Sequence, residues 1–266
     1  MRVVIKIGTS SLCDPDGQFR DDRVAGLARQ LLVLHGLGVD LLVVTSGAVG
    51  AGIGRLGRRP ETVVEKQALA AVGQALVMQA YQRWMPEAPL AQVLLTRQDL
   101  ASERRRAKAR RTLEQLSAWR VIPVINENDT VADEEIRIGD NDTLAARVAV
   151  LMEADLLVLL SDVDGLYTAD PRRVPGAQKI ETVAWVTAED VARYGGKGGA
   201  LGTGGMYTKL MAAIIAQQAG VPMVLADSRE TDVILDAVLG RRPVGTRFLA
   251  RAKGEGQDAG EHVGEG

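Results

Sequence analysis

The sequence predicts an α/β protein built on a mostly parallel sheet with helices on both faces. Three observations carry this. Apolar runs rich in Val, Ile and Leu alternate with longer segments of helical periodicity. The candidate strands are continuous apolar runs and not polar–apolar alternations, as strands covered on both faces require. The unusual polar and glycine-rich stretches follow the ends of these runs, where open α/β sheets bind ligands.

The elements follow in order. Residues 3–8, VVIKIG, read as a strand, and 21–37 as a helix with apolar residues at helical spacing and an Asp pair as N-cap. Residues 39–47 form a second strand that breaks into a loop, and 62–84 a long helix. A strand over 90–96 precedes a charged helix over 99–119, and a strand over 120–126 precedes a helix over 142–153. The last strands are 155–162 and 221–227, with a helix over 206–219 between them. Two stretches break the rhythm. Residues 134–142 read as a short strand or hairpin arm ending in an acidic loop, and 163–205 as a functional excursion punctuated by Gly and Pro. Within it, 177–198 are expected to form a mobile flap. The Gly- and Glu-rich residues 251–266 are expected to be a disordered tail.

Composition narrows the function classes. With 46% hydrophobic but only 3% aromatic residues, the core must come from Val, Leu, Ile and Ala. A net charge of −2 gives no electrostatic reason to expect a nucleic-acid partner or strong membrane binding. The basic run 102–116 reads as a solvated or subunit-interface helix. One cysteine, Cys13, rules out an internal disulfide and fits a reducing cytoplasm. Two histidines and one cysteine argue against a zinc or iron site. Cys13 and the three tryptophans are read as structural. The N-terminus carries no signal-peptide pattern, and no apolar run reaches the roughly 18 residues of a membrane span. A cytoplasmic protein is expected.

The chemistry-bearing residues form several constellations, each with two readings. Lys6, inside the first apolar run, is either an edge-strand lysine turned to water or a lysine that meets a ligand anion. TSGAVGAGIG (45–54) is either a tight strand-to-helix turn or an anion nest at a helix start. Asn126, Glu127, Asn128, Asp129, Asp140, Asn141 and Asp142 read as turn and capping residues, or as groups that bind an amino or carboxylate group or orient a lysine. Ser161 and Asp162 leave a buried-looking strand. GTGGMYTK (202–209) ends in a lysine before a helical run but lacks the P-loop spacing, in which Lys directly follows Gly. It reads as a phosphate cradle of another kind, made of glycines, hydroxyls and a helix N-terminus.

Together VVIKIGTSSL, VVTSGAVGAG, VIPVINENDTV, IGDNDTLAA, LLSDVDGLYTADPR and GLGTGGMYTKL, in this order, resemble the amino acid kinase family. Within it they are most similar to the branch that phosphorylates glutamate. The resemblance covers about residues 1–250, which are expected to form one kinase domain. It implies a three-layer αβα sandwich with a mainly parallel sheet of about eight strands. It also implies transfer of the ATP γ-phosphoryl group to the side-chain carboxylate of L-glutamate, giving L-glutamyl 5-phosphate, the first intermediate toward proline.

Residue roles follow from the resemblance by motif. Lys6 and Lys209 would flank the transferring group and Asp142 would hold them. Ser46, Asp129 and Asn141 would contact glutamate. Ser161, Asp162, Thr203, Gly204, Gly205, Met206, Tyr207, Thr208 and Lys209 would contact ATP. Mg²⁺ would ride mainly on the ATP phosphates, and proline would act as feedback inhibitor at a site overlapping that of glutamate. A homo-oligomer, dimer or tetramer, is expected. Many proteins of this branch carry a C-terminal PUA domain, and none is expected here. The competing readings are a sister enzyme acting on N-acetylglutamate, aspartate, carbamate or UMP, a non-catalytic sensor of ATP or an amino acid, and, disfavoured by the scarcity of aromatics for stacking, an RNA-binding module using residues 104–111. The NENDTV…GDND region argues against the first and the presence of both lysines against the second.

Overall fold

The computed structural model describes residues 1–14, 16–132, 141–171, 173–195 and 205–250. The expected hairpin arm at 134–142 falls almost wholly outside them, as do Thr203, Gly204, Asp140 and the tail from 251.

The central strand is β1 (Arg2–Ile7), flanked by β2 (Asp40–Val44) and β5 (Leu156–Ser161). Beyond β2 lie β4 (Ile122–Glu127) and then β3 (Leu90–Leu95). Beyond β5 lie β9 (Met223–Asp227), β10 (Thr246–Phe248) and β8 (Thr182–Val183). The order β3-β4-β2-β1-β5-β9-β10-β8 makes an eight-stranded sheet in which only the β9–β10 pairing is antiparallel. The C-terminal ends of β1, β2, β4, β5 and β9 therefore lie along one edge. The chain moves from β1 to β2 on one side and from β4 to β5 on the other, so the topological switch falls beside β1.

Alternation along β1 assigns its side chains to two layers. Val3, Ile5 and Ile7 enter a core formed with α2 (Asp21–Gly36), α3 (Ala48–Leu56), α4 (Val63–Trp84) and α10 (Val233–Leu239). Val4 enters the opposite core, formed with α6 (Glu103–Ala118), α7 (Asn141–Leu151) and α9 (Met206–Gln218). Lys6 shares the parity of Val4, which puts it on the α7 and α9 side. Lys6 pairs in register with Val44 and Leu159, so it lies on the central strand and the edge-strand reading is excluded.

TSGAVGAGIG holds the strand-to-helix passage that both of its readings require, with α3 starting at Ala48. Several expectations needed correction. The helix expected over 99–119 is two, α5 (Arg97–Ala101) and α6, separated at Ser102, whose extended backbone interrupts the helical path. Asp21 and Asp22 occupy the first turn of α2 while Arg20 is the N-cap, so they favour the helix dipole without capping it. Trp119 is 67% exposed and Trp84 is also exposed, because both fall at solvent-facing helix ends. The excursion after β5 contains β6 (Leu166–Tyr167) paired with β7 (Lys179–Ile180), then edge strand β8 and helix α8 (Ala188–Tyr194). The short α1 (Thr9–Leu12), α10 and β10 were not foreseen.

Helices α3 and α4 are in unusually close contact. A Cβ on Gly73 of α4 would lie 1.8 Å from the Ala48 carbonyl oxygen, and one on Gly52 of α3 would lie 2.0 Å from that of Leu69. Only glycine permits this approach, and it sets the depth at which the residue after Gly73, Gln74, meets the sheet edge. Thr62 and Glu65 start α4 with a reciprocal capping box.

Candidate active site

Three charged side chains from three elements meet beside the end of β1. Lys6 Nζ lies 2.5 Å from Asp142 Oδ1, and Lys209 Nζ lies 3.2 Å from Asp142 Oδ2. Asp142 stands in the first turn of α7 and Lys209 in the first turn of α9. All three are buried, at 7% exposed for Lys6, 5% for Lys209 and 1% for Asp142. An isolated ion at such a depth would be costly, so each depends on its neighbours. Thr208 donates its hydroxyl to Asp142 Oδ2 at 2.7 Å. Burial, the largest single influence on the Asp142 carboxyl, pushes its pKa up. Lys6, Lys209 and the Thr208 hydroxyl outweigh it, and the carboxyl is held below its ordinary range. Among the described residues, two ammonium groups face this one carboxylate. Gly8 leaves the cluster room, since a Cβ there would sit 2.9 Å from Lys6 Nζ.

On the β2–β4 side of this centre lies a cluster of carboxamides. Asn141 Nδ2 faces the Thr45 carbonyl at 2.9 Å, Ser46 Oγ at 2.8 Å and Asn126 Oδ1 at 3.0 Å. Asn126 Nδ2 donates to Gln74 Oε1 at 2.8 Å. Tyr81, fully buried on α4, shares a 3.0 Å hydrogen bond with Thr45 Oγ1 and so ties the end of β2 to α4. Asn141 Oδ1 is buried and has no hydrogen-bond partner among the described residues. Asp129, half-buried in the loop after β4, has its carboxyl pKa raised by burial, with Lys66 working against the rise.

On the β5–β9 side a cleft of about 960 Å³ opens. Asp162, Gly165, Tyr194, Gly205, Met206, Lys209 and Arg229 are among the residues lining it. Arg229 binds Asp227 at the end of β9 at 2.6 Å and donates to the Asp162 carbonyl at 3.0 Å, joining the ends of two neighbouring strands. Lys209 thus reaches both the cleft and the buried charge cluster.

Of the residues singled out from sequence, the structure brings Lys6, Lys209 and Asp142 into one cluster and Asn141 and Ser46 into a second, joined where Asn141 and Asp142 are neighbours in the chain. Asp162, Gly205, Met206 and Lys209 line the cleft. Thr208 turns to Asp142 and Tyr207 is exposed outside the cleft lining, while Ser161 hydrogen-bonds Asp162 at 3.2 Å. Asn141 and Asp142 do not serve as mere helix caps, because both side chains point to tertiary partners. Gln74, Tyr81, Arg193, Tyr194 and Arg229 were missed. Gln74 and Tyr81 lie inside a helix pattern that reads as core, and only a polar residue on a buried face could have signalled Gln74.

Residues 1–227 match the model of the amino acid kinase family. The glutamate 5-kinase of Symbiobacterium thermophilum is 53% identical over 253 residues, covering 93% of this chain and 95% of that protein. The glutamate 5-kinase of Streptococcus gordonii is 47% identical over 257 residues, covering 95% of this chain and 69% of that protein. Among solved structures, carbamate kinase from Giardia lamblia bound to AMP-PNP superimposes with a TM-score of 0.66 at 16% identity, covering 94% of this chain and 98% of that one. The chain therefore belongs to the amino acid kinase family. Within that family, both of the sequence relatives given above, which cover more than nine-tenths of this chain, are glutamate 5-kinases.

Proposed function

We propose that the protein transfers the γ-phosphoryl group of ATP to the side-chain carboxylate of L-glutamate, forming L-glutamyl 5-phosphate, the first step of proline biosynthesis. The observation that carries this reading is the pair of ammonium groups on one buried carboxylate, set between a carboxamide cluster and an open cleft. Phosphoryl transfer leaves the protein little covalent work, so positioning and charge stabilisation dominate. A glutamate side chain with an ordinary pKa of about 4.3 is ionised at neutral pH and needs no general base. The difficulty is to bring this anion to an anionic phosphate. Lys6 and Lys209 would neutralise the oxygens of the group in transfer, while Asp142 keeps the two ammoniums from repelling each other.

Ser46, Asn141 and Asp129 would bind glutamate. The bare Asn141 oxygen and the Asp129 carboxylate are acceptors suited to its ammonium group. ATP would lie in the cleft, against Asp162 and the segment leading into α9. The cleft offers carboxylate oxygens at Asp162 and Asp164. Among the described residues, no group of three His, Cys, Asp or Glu side chains could hold a metal. Mg²⁺ would be carried mainly on the nucleotide phosphates, where it would supply charge neutralisation. L-Proline, which shares the five-carbon skeleton and α-carboxylate of glutamate, would compete at the acceptor side. We assign residues 1–250 to one kinase domain acting in the cytoplasm as a homo-oligomer. Among the described residues no helix is long and apolar enough to cross a membrane.

The test is ADP release from Mg-ATP with L-glutamate, N-acetyl-L-glutamate, L-aspartate, carbamate and UMP offered in parallel. Turnover confined to L-glutamate is expected. Preference for another acceptor would overturn the substrate assignment, and binding of ATP without any turnover would favour a sensor.

A further inference from the structure

We propose that Gln74 is a positioning residue for the acceptor site: through Asn126 it braces the Asn141 carboxamide in the place where the substrate would meet it. The inference rests on the acceptor-side reading given above.

The argument is one of hydrogen-bond polarity. The backbone N–H of Glu127 donates to Asn126 Oδ1 at 2.9 Å. A backbone N–H can only donate, so this contact fixes the oxygen end of the Asn126 amide. Its Nδ2 must then point the other way, and it donates to Gln74 Oε1 at 2.8 Å. The same Asn126 oxygen also faces Asn141 Nδ2 at 3.0 Å. That contact and the Thr45 carbonyl, which can only accept, both hold the nitrogen end of Asn141 toward Thr45, Ser46 and Asn126. The senses of Asn126 and Asn141 are thus set by a main-chain donor and a main-chain acceptor, and Gln74 supplies the acceptor that holds Asn126 in place.

Two polar atoms are left over. Gln74 Nε2 and Asn141 Oδ1 are buried and lack a hydrogen-bond partner among the described residues. Buried orphans of this kind lower stability, so a chain selected for stability alone would not keep them. Gln74 is 7% exposed on a helix where an apolar residue would fill the same space. Its depth is set by Gly73, whose close approach to Ala48 brings α4 against the turn that carries Ser46. Gln74 stands behind Asn126, two hydrogen bonds removed from Asn141. What it supplies is an acceptor for Asn126. Without it, Asn126 Nδ2 becomes a buried donor with no acceptor, and the contact that braces Asn126 against Asn141 is lost.

The test is steady-state kinetics and thermal denaturation of Gln74→Met, which keeps side-chain length and removes both amide ends. The relay predicts that the KM for L-glutamate rises roughly tenfold, the scale of one lost hydrogen bond, while the KM for ATP stays within about twofold. The melting temperature should not fall, because one buried orphan is exchanged for another. In an Asn126→Ala background, adding Gln74→Met should change the glutamate KM by less than about twofold, since the two residues act in series. If Gln74→Met does not fold, Gln74→Leu carries the same comparisons. Equal rises in both KM values with a lower melting temperature would mean a merely structural role and would overturn the proposal. Full multiplication of the two effects in the double variant would overturn it as well. Wild-type selectivity for a different acceptor, with the KM for that acceptor raised by Gln74→Met, would refute the glutamate reading and leave the relay standing.

Discussion

Lys6 and Lys209 hold opposite oxygens of a single buried carboxylate, that of Asp142, at 2.5 and 3.2 Å. One lysine comes from the central strand and the other from the first turn of α9, so neither segment alone makes the site. Either ammonium buried alone would be costly, and the two together would repel. Their juxtaposition is stable because Asp142 lies between them.

Replacing the carboxylate should therefore be severe. Asp142→Asn leaves two buried ammonium groups uncompensated, an expected loss of about 3–5 kcal/mol in denaturant unfolding at neutral pH. The sign of the pH dependence follows from the depressed carboxyl. Its stabilisation is fully present above the ordinary value of 3.8 and is lost as pH falls through the lower folded value. The acid-unfolding limb of the wild type should thus be steeper than that of Asp142→Asn. Identical limbs would contradict the pairing.

Removing either ammonium should act on the chemical step. Lys209→Ala and Lys6→Ala are each expected to lower kcat by about 10²–10³, the range seen when one charge-stabilising donor is lost. ATP binding, measured directly by calorimetry, should weaken far less for Lys6→Ala. Turnover near the wild-type rate in either variant would remove that lysine from the reaction.

Asp129 should act on one substrate. Asp129→Ala is expected to raise the KM for L-glutamate more than that for ATP. Burial raises its carboxyl pKa, with Lys66 opposing. Its ionised form, needed to pair with an ammonium group, is lost earlier on acidification than an ordinary aspartate's. Glutamate affinity should therefore fall as pH drops through a value above 3.8. A raised folded pKa also means that the ionised group opposes folding at neutral pH, so Asp129→Asn should not lower the melting temperature of the ligand-free protein.

Gly73→Ala tests the approach of α3 to α4. The added Cβ would sit 1.8 Å from the Ala48 carbonyl oxygen, a main-chain atom that cannot swing aside. The helices must separate, at an expected cost of about 1–3 kcal/mol from overpacking. Because Ala48 closely follows Ser46, the glutamate KM should rise as well. A variant with unchanged stability would show that the two helices are not held at this distance.

Much of the fold was legible because its signal is local. The apolar runs of β1, β2, β4, β5 and β9 and the helical periods of α2, α4 and α7 lie close to their expected positions. The antiparallel β10 was not foreseen, because three residues give too short a pattern to read. A helix start after β2 was read from TSGAVGAGIG but not its extent, because Gly50, Gly52 and Gly54 weaken the helical pattern, although in place two of them face neighbouring main chain or side chain. The apolar run alone left Lys6 two readings, and its grouping with Lys209 and Asp142 came from the family resemblance, because the three residues lie far apart in the chain. That Lys6 faces α7 and α9 follows from strand parity only once the covering helices are known. Gln74 was not legible, because its meaning lies in the donor sense of an amide chain that assembles from three distant segments.

The central claim is that the two lysines promote transfer to a carboxylate oxygen. Its most direct measurement is the reaction of the wild-type protein with Mg-ATP and L-glutamate in the presence of hydroxylamine, which traps an acyl phosphate as the hydroxamate. The account predicts glutamyl hydroxamate formed in proportion to ADP, with both lost in Lys6→Ala and Lys209→Ala. ADP release from glutamate and ATP without any hydroxamate would contradict it.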